Sequence, residues 1–353
     1  MLVHLAVKIA KSKQIIARIK EKVHVSVVFA IFKEHHRIRS REAHAHGENF
    51  LLRKIEQLEW LFGESPNFSW DLTVVDDGCS EHSGRIAQEI LDQKYQGENV
   101  RVLFLEEAIE RGLRVTQPMT STTDSQKGGA IQYGLWAAAQ QERANHIILY
   151  TDADLSTHLG QVGLLVNGIL NEKKDAAIGS RREALSVVVK QGTRNLRGKL
   201  FIYLWKRIIP DLNYIVDTQC GFKAFRADTV RTIIEDTVEK KFAFDIELLL
   251  KTELKRQNSI IKVPIAWIDS EAASTTTDLQ PYLPMLKSIV RIYRKYLRPN
   301  ADSEKFARFI ETLDETGWNR LVANVPPEIA QREPINFADY RGVTVEDLKA
   351  TLG

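Results

Sequence analysis

Two periodicities of apolar residues divide the chain into predicted strands and predicted helices. Short apolar runs, most of them rich in β-branched residues, predict strands at residues 23–32, 71–78, 99–105, 146–156, 175–182, 219–226 and 260–269. Longer segments with helical spacing predict helices at residues 83–95, 127–141, 192–209, 242–254 and 281–298. The alternation of the two predicts an α/β domain whose sheet is largely parallel.

A basic amphipathic helix is predicted ahead of the first strand, over residues 1–23. Apolar residues recur there at nearly helical spacing from Leu2 to Val23, and six lysines and arginines lie between them. Such a helix can pack on the body of the protein, and it can also lie on an anionic membrane surface. The sequence leaves both interpretations open, and the second predicts peripheral contact with a membrane.

Composition and charge exclude several classes of protein. The 353 residues are 44% hydrophobic and 27% charged, which is too apolar for a disordered chain. A formal net charge of +3 gives no reason to expect a nucleic-acid partner. Cys79 and Cys220 cannot form a disulfide framework, and no apolar run is long enough for a transmembrane helix. These features predict a cytoplasmic protein, with the cytoplasmic face of a membrane as the alternative location.

Two predicted strands end in paired carboxylates, Asp76–Asp77 and Asp152–Asp154. Ligands of open parallel sheets bind outside the carboxyl ends of the strands, so these side chains are expected at one binding edge. A D-x-D pair suits a hard divalent cation whose other ligands include a substrate phosphate. The same aspartates could instead cap a turn and a helix, and the pattern alone does not decide between the two.

Seven motifs follow one another in an order that chance explains poorly. They are VSVVFAIFKE (25–34), DDGCS (76–80), KGGA (127–130), DADLS (152–156), GSR (179–181), DTQCGFKAF (217–225) and FDIELL (244–249). This set resembles the large family 2 of inverting nucleotide-sugar glycosyltransferases, which have the GT-A fold. The last two motifs are similar to the branch of dolichyl-phosphate β-glucosyltransferases and related polyprenyl-phosphate glycosyltransferases. The resemblance covers roughly residues 24–295.

The resemblance implies a Rossmann-like, mostly parallel sheet flanked by helices, and a nucleoside diphosphate sugar as the donor. UDP is favoured over GDP as the carrier. The residues that it assigns to the donor are Glu34, Asp76, Asp77, Lys127, Gly128, Asp152 and Gln219. Asp154, helped by Asp152, would hold Mg²⁺ or Mn²⁺ against the diphosphate, where the cation offsets the charge of the leaving nucleotide.

The acceptor side depends on a carboxylate and a basic group. Asp245 is the candidate catalytic base, because a hydroxyl acceptor must lose a proton. A phosphate acceptor is already an anion, so Asp245 would then only orient the acceptor or the sugar, and a helix N-cap is a further alternative. Arginine forks suit phosphate, although a solvated helix face is equally compatible with the basic group, which consists of Arg181, Arg194 and Arg197.

Four histidines crowd one segment of the chain: His35, His36, His44 and His46. No cysteine or carboxylate stands at a matching spacing, so a polar surface or an active-site lid is favoured over a metal site. Cys79 and Cys220 lie inside motifs without a local base, which favours packing roles for both.

The chain divides into three predicted parts: an amphipathic helix (1–23), a glycosyltransferase domain (24–299) and an acidic tail (300–353). The domain comprises a nucleotide-binding half, residues 24–156, and an acceptor half, residues 157–299. From residue 301 the chain has ten acidic and six basic residues, which predicts a separate helical appendage or docking tail.

The leading hypothesis is an inverting, metal-dependent glycosyltransferase that moves a hexose from a nucleotide sugar. The acceptor is either a polyprenyl phosphate or a soluble small molecule with a hydroxyl group. Polyprenyl-phosphate enzymes usually carry a transmembrane anchor, so the lack of a predicted one weighs against the lipid. The alternatives are a non-catalytic nucleotide-sugar-binding protein and a sugar nucleotidyltransferase.

Overall fold

The computed structural model describes residues 2–189, 196–269 and 281–352. The strands in these ranges are β1 (Val23–Ile31), β2 (Phe68–Asp76), β3 (Val100–Phe104), β4 (His146–Thr151), β5 (Ala176–Ser180), β6 (Val187–Val189), β7 (Phe222–Arg226), β8 (Ile260–Pro264) and β9 (Ala266–Ile268). The α-helices are α1 (Leu2–Arg18), α2 (Phe50–Phe62), α3 (Ser83–Lys94), α4 (Leu105–Glu110), α5 (Gly128–Ala139), α6 (Val162–Leu170), α7 (Leu196–Ile208), α8 (Ala227–Ile233), α9 (Phe244–Lys255), α10 (Tyr282–Tyr296), α11 (Ala301–Thr312), α12 (Glu315–Ala323), α13 (Pro327–Ala330) and α14 (Val345–Ala350).

Seven strands form one sheet in the order β3-β2-β1-β4-β7-β5-β8, and β6 pairs with β9 in a small second sheet. β7 runs antiparallel to β4 and β5, whereas the other pairings in the large sheet are parallel. The predicted α/β fold with a largely parallel sheet flanked by helices is confirmed. Because β7 is reversed, its first residues lie at the same edge as the last residues of β4.

β1 is buried on both faces, which explains its apolar run without alternation. Adjacent residues Val27 and Val28 belong to different hydrophobic cores. Helices α1, α2, α3 and α6 contribute to the core on one face, and α5 and α7–α10 contribute to the core on the other. Because helices cover both faces, ligands can reach the sheet at the ends of its strands.

Three predicted boundaries differ from the structure. The first helix ends at Arg18, before the predicted limit of residue 23. The segment 106–126, in which the sequence predicts no helix or strand, contains most of α4, whose apolar residues Leu105 and Ala108 are buried. The predicted strand 260–269 divides at Pro264, because proline lacks the N–H that would continue the ladder, and β9 then pairs with β6.

The acidic segment beyond residue 300 packs on α7 rather than standing apart from the domain. Nη2 of Arg207 donates to both carboxylate oxygens of Asp302, at 2.5 and 2.8 Å, and Oγ of Ser303 donates to the Arg207 carbonyl at 2.9 Å. Phe306 and Trp318 are buried in the same core as α7. The predicted helical appendage is present, and its apolar residues explain why it is not detached. The boundary at residue 300 stays a prediction.

The second half of α1 packs closely on α6. The backbone N–H of Gly163 donates to Oγ of Ser12 at 2.8 Å, and Ile16 is buried. A Cβ atom at Gly163 would lie 2.5 Å from the Ser12 carbonyl oxygen, so glycine is required for this approach. Within the described ranges, no helix is both long and apolar enough to span a membrane.

Candidate active site

The paired carboxylates predicted from the sequence, Asp76–Asp77 and Asp152–Asp154, lie at the carboxyl edge of the large sheet. This edge is formed by the ends of β1, β2, β4 and β5 together with the beginning of the reversed strand β7. Parallel α/β sheets bind ligands at this edge, because the strand ends and the loops that follow them leave a crevice. The carboxylates after β2 and β4 and the DTQCGFKAF motif therefore meet in one region.

Asp76 uses both carboxylate oxygens to hold the backbone. Oδ1 accepts hydrogen bonds from the N–H groups of Gly78 and Cys79, each at 2.9 Å, and Oδ2 accepts one from Gly84 at 2.7 Å. These bonds fix the turn after β2 and the beginning of α3. The carboxylate of Asp76 therefore has a structural role in this turn. Its contact with the donor stays a prediction.

Asp77 has one bonded and one unbonded oxygen. Oδ2 accepts from the backbone N–H of Lys127 at 2.6 Å, whereas Oδ1 is buried and forms no hydrogen bond in the described ranges, although the Ser125 hydroxyl is near enough to lower the pKa of Asp77 against the effect of burial. Burial raises the pKa of Asp77 to about 6. A buried carboxylate oxygen without a donor is unfavourable, so Oδ1 is suited to accept a hydrogen bond from a ligand.

The pKa of Asp77 gives a pH prediction. Affinity for a nucleotide-sugar donor is expected to fall about tenfold from pH 7 to pH 5, because a carboxyl with a pKa of about 6 goes from mostly ionised to mostly protonated over this range. The diphosphate of such a donor does not titrate there, so the change belongs to the protein. Calorimetry across this pH range measures it. Asp77→Asn should bind more weakly and lose the pH step, and an unchanged step in that variant would assign the titration elsewhere.

Glu34 lies in a buried charge cluster that follows β1. Nη1 of Arg37 donates to both of its carboxylate oxygens, at 3.2 and 3.1 Å, and Nη2 donates to Glu48 at 3.1 Å. Burial raises the pKa of Glu34, partly against the effect of Arg37. The segment after β1 thus supplies Arg37 as the counter-charge for this carboxylate.

The D-x-D carboxylates after β4 have different surroundings. Nζ of Lys127 donates to Oδ1 of Asp152, and this ammonium holds the pKa of Asp152 below its ordinary value although burial alone would raise it. Oδ1 of Asp154 accepts from the N–H of Ser156 at 3.0 Å, and burial followed by the charge of Asp152 raises its pKa. A Cβ atom at Gly221 would lie 2.1 Å from Asp152, so the glycine of the DTQCGFKAF motif makes room for this carboxylate.

Lys54 on α2 also reaches the D-x-D segment, and the sequence analysis missed it. Its side chain is fully buried, Nζ donates to the Asp154 carbonyl at 2.8 Å, and burial lowers its pKa to about 8. A lysine among leucines on an amphipathic helix suggests a solvated position, so the sequence pattern did not predict the burial of Lys54. The structure shows that this lysine fixes the main chain of a predicted metal ligand.

Replacing Lys54 with methionine is expected to weaken Mn²⁺-dependent binding of a nucleotide-sugar donor by about tenfold or more, because residues that orient metal ligands affect metal affinity on this scale. Calorimetry with Mn²⁺ present measures the change. Lys206→Met is the matched control, since Lys206 on α7 is also buried and its Nζ donates to the Ile215 carbonyl at 2.6 Å. Equal binding by Lys54→Met and wild type would contradict the assignment.

Asp245 lies in the first turn of α9, whose N-cap is Ala243, so the N-cap alternative is wrong. Its Oδ1 accepts hydrogen bonds from the Tyr150 hydroxyl and, at 2.5 Å, from Nζ of Lys223. Lys223 is fully buried and also donates to the Cys220 carbonyl at 2.5 Å. Sequence reasoning missed both partners of Asp245, although Lys223 lies within the DTQCGFKAF motif and was available as a signal.

The predicted acceptor-side arginines are only partly described. Arg181 donates to Asp217 from its backbone N–H at 2.7 Å, from Nε at 2.8 Å and from Nη2 at 2.7 Å, and this pairing, against the effect of burial, lowers the pKa of Asp217 to about 2. Arg197 is half-buried on α7, and Arg194 lies outside the described residues. Phosphate recognition by these side chains stays a prediction.

Nε2 of Gln219 is buried without a partner in the described ranges.

The donor atoms at the edge fit a hard divalent cation. Asp152 and Asp154 offer carboxylate oxygens, which Mg²⁺ and Mn²⁺ prefer, and a nucleoside diphosphate would supply the remaining ligands. The described residues include no group of three or more His, Cys, Asp and Glu side chains that could hold a metal by themselves. The rings of the four histidines after β1 contact one another in sequence. His36 and His44 are stacked, with ring centroids 3.9 Å apart, and the other two pairs are tilted.

Several proteins similar in sequence to this chain are dolichyl-phosphate β-glucosyltransferases. A dolichyl-phosphate β-glucosyltransferase from Trichomonas vaginalis is 28% identical over 72% of this chain and 68% of its own length. The Homo sapiens dolichyl-phosphate β-glucosyltransferase is 29% identical over 69% of this chain and 69% of its own. No protein-family model matches the chain.

Solved structures share the fold. Glucosyl-3-phosphoglycerate synthase from Mycobacterium tuberculosis, in complex with Mn²⁺, UDP-glucose and phosphoglyceric acid, superposes with a TM-score of 0.52. The match covers 83% of this chain and 85% of that one at 15% identity. The α/β sheet and its flanking helices thus have the GT-A architecture.

The fold and these relationships define a glycosyltransferase of the hexosyltransferase class, with the GT-A fold. Within that class, the chain is related to the dolichyl-phosphate β-glucosyltransferases. The resemblance that its ordered motifs indicated is confirmed. The roles of the individual site residues stay predictions.

Proposed function

We propose that the protein transfers glucose from UDP-glucose to a polyprenyl phosphate of the dolichyl-phosphate type, with inversion at the anomeric carbon. The names of the related enzymes support this acceptor and the β-linked product. In this reaction the bond between the anomeric carbon and the UDP oxygen breaks, and its electron pair leaves with UDP. A phosphate oxygen of the acceptor attacks from the opposite face and forms the new bond.

The observation that carries the choice of a phosphate acceptor is the engagement of Asp245. A hydroxyl acceptor needs a free base, but Oδ1 of Asp245 already accepts from Lys223 and Tyr150. A phosphate monoester arrives as an anion and needs no deprotonation. Asp245 then serves to orient the sugar or the acceptor.

Donor binding is assigned to the unbonded polar atoms of the edge. Oδ1 of Asp77 can accept an N–H or O–H of the nucleoside, and Nε2 of Gln219 can donate to a sugar hydroxyl. Asp152 and Asp154 would hold Mg²⁺ or Mn²⁺, which supplies positive charge to the departing diphosphate when it is bound. Lys127 adds a cation from the chain itself, next to Asp152.

The proposal is tested by supplying UDP-glucose, Mn²⁺ and a short polyprenyl phosphate to purified protein and identifying products by mass spectrometry. A glucosylated polyprenyl phosphate is expected, with UDP released in equal amount. GDP-glucose should be a poorer donor. Release of pyrophosphate from a nucleoside triphosphate, with no glucosyl transfer, would favour a nucleotidyltransferase instead. The cytoplasmic location expected from the two free cysteines stays a prediction.

A further inference from the structure

The first two turns of α1 expose an apolar surface that the described chain leaves uncovered. Leu2 is 74% exposed, Val3 71% and Val7 59%, whereas Ile16 at the other end of the helix is buried. We call Leu2, Val3 and Val7 the α1 tip. Exposed apolar residues are ordinary when single, but three on one helix end suggest a contact surface.

The α1 tip projects from the active-site edge of the sheet. Going toward the N-terminus, α1 contacts Gly163 through Ser12, then approaches Gly160 through Ile9, and Nζ of Lys8 donates to the Pro264 carbonyl at 2.9 Å. Pro264 ends β8, which runs parallel to β5, so it lies at the carboxyl edge. The residues before Lys8 therefore extend past that edge.

A second pair of exposed apolar residues lies at this edge. Leu185 is 75% exposed and Val188, in β6, is 42% exposed. β6 pairs with β9, which follows the carboxyl end of β8 and packs against α1. The α1 tip and this pair thus lie at the edge that carries the candidate active site.

The charge of α1 indicates what covers this surface. The helix has no acidic residue from Leu2 to Arg18, and its cations are Lys8, Lys11, Lys13 and Arg18. Lys11 is exposed beside the tip, whereas Lys13 pairs with Glu64 at 2.9 Å. A cationic helix with an apolar end is complementary to anionic lipid headgroups above an apolar interior.

We propose that the α1 tip inserts into the surface of an anionic membrane and directs the active-site edge toward the lipid. The choice of a lipid surface rests on the proposed function, because the proposed acceptor is itself a membrane lipid. Shallow insertion of two or three apolar side chains with few basic contacts gives weak, reversible and salt-sensitive binding. The enzyme would thereby reach a membrane acceptor without a spanning segment in its described residues.

The test is flotation of the full chain with vesicles of phosphatidylcholine containing about 30 mol% phosphatidylserine. Binding is expected at low salt, and it should be lost at high salt and on pure phosphatidylcholine. Leu2→Glu/Val7→Glu should reduce the bound-to-free ratio about tenfold or more. Leu254→Glu/Ile335→Glu changes two exposed apolar residues elsewhere, 47% and 48% exposed, and this variant should bind as wild type does.

Each other outcome counts against the proposal. Absent vesicle binding, or equal binding by the tip variant and wild type, would overturn it. Self-association that the tip variant abolishes, without vesicle binding, would identify a second copy of the chain as the occupant. Binding of UDP-glucose with Mn²⁺, measured by calorimetry, and transfer in detergent should both be the same in the tip variant and in wild type. If the wild-type protein itself fails to bind the donor or to transfer glucose in detergent, the proposed function is wrong, whatever the vesicle binding shows.

Discussion

Replacing Asp154 with asparagine is expected to reduce glucosyl transfer about 10²–10³-fold, the scale on which a single preorganised electrostatic group contributes to catalysis. Asparagine keeps the size of the side chain and can still accept the Ser156 N–H bond seen at 3.0 Å. It removes the negative charge that would hold the divalent cation at the diphosphate. Initial rates at saturating UDP-glucose, measured over a range of Mn²⁺ concentrations, report this loss.

The matched control for Asp154→Asn is Asp92→Asn on α3. Asp92 accepts an exposed hydrogen bond from Nε2 of Gln88 at 2.9 Å, so its loss should leave transfer unchanged. A wild-type rate in Asp154→Asn, together with transfer that proceeds after chelation of divalent ions, would show that the metal-dependent mechanism is wrong.

Replacing Lys223 with methionine is expected to lower the free energy of unfolding by about 3–5 kcal/mol, because breaking a buried ion pair leaves a buried charge without its partner. Lys223 is fully buried and the side chain of Asp245 is 6% exposed, so water cannot replace the ammonium. Transfer should fall as well, since Asp245 would lose the group that fixes Oδ1. Urea unfolding of folded protein measures the first effect.

A double-mutant cycle separates the pair from general damage to the core. Asp245→Asn in the Lys223→Met background removes the orphaned charge, so the double variant should be more stable than Lys223→Met alone. Stability changes that simply add would mean that the two side chains do not interact energetically. Tyr150→Phe gives an intermediate case, because it removes one of the two donors to Oδ1.

Local sequence predicted the fold and the edge where the site lies, for reasons that the structure makes clear. β1 is an apolar run because both of its faces are covered, and the strand order brings the ends of β2 and β4 to that same edge. Motif spacing placed Asp77, Asp152 and Asp154 at this end of the sheet, because β2 ends at Asp76 and β4 ends at Thr151. Proximity along the chain was enough to predict their location.

The groups that sequence reasoning missed act through contacts between distant segments. Lys54 and Asp154 are 100 positions apart, and Tyr150 and Asp245 are 95 positions apart. Such pairs are invisible to periodicity, which records the burial of a face and not its partner. The acidic average after residue 300 likewise hid Phe306 and Trp318, which attach that segment to α7.

Whether the acceptor is a phosphate or a hydroxyl group is tested most directly by comparing a short polyprenyl phosphate with the matching polyprenol. Both are offered with UDP-glucose and Mn²⁺ in detergent, and the products are identified by mass spectrometry, with the anomeric configuration from NMR. The proposed function predicts a β-glucosyl phosphate from the first acceptor. It predicts no product from the second, because Oδ1 of Asp245 is engaged with Lys223 and Tyr150. Efficient glucosylation of the polyprenol, or an α-linked product, would contradict the proposed inverting transfer to a polyprenyl phosphate.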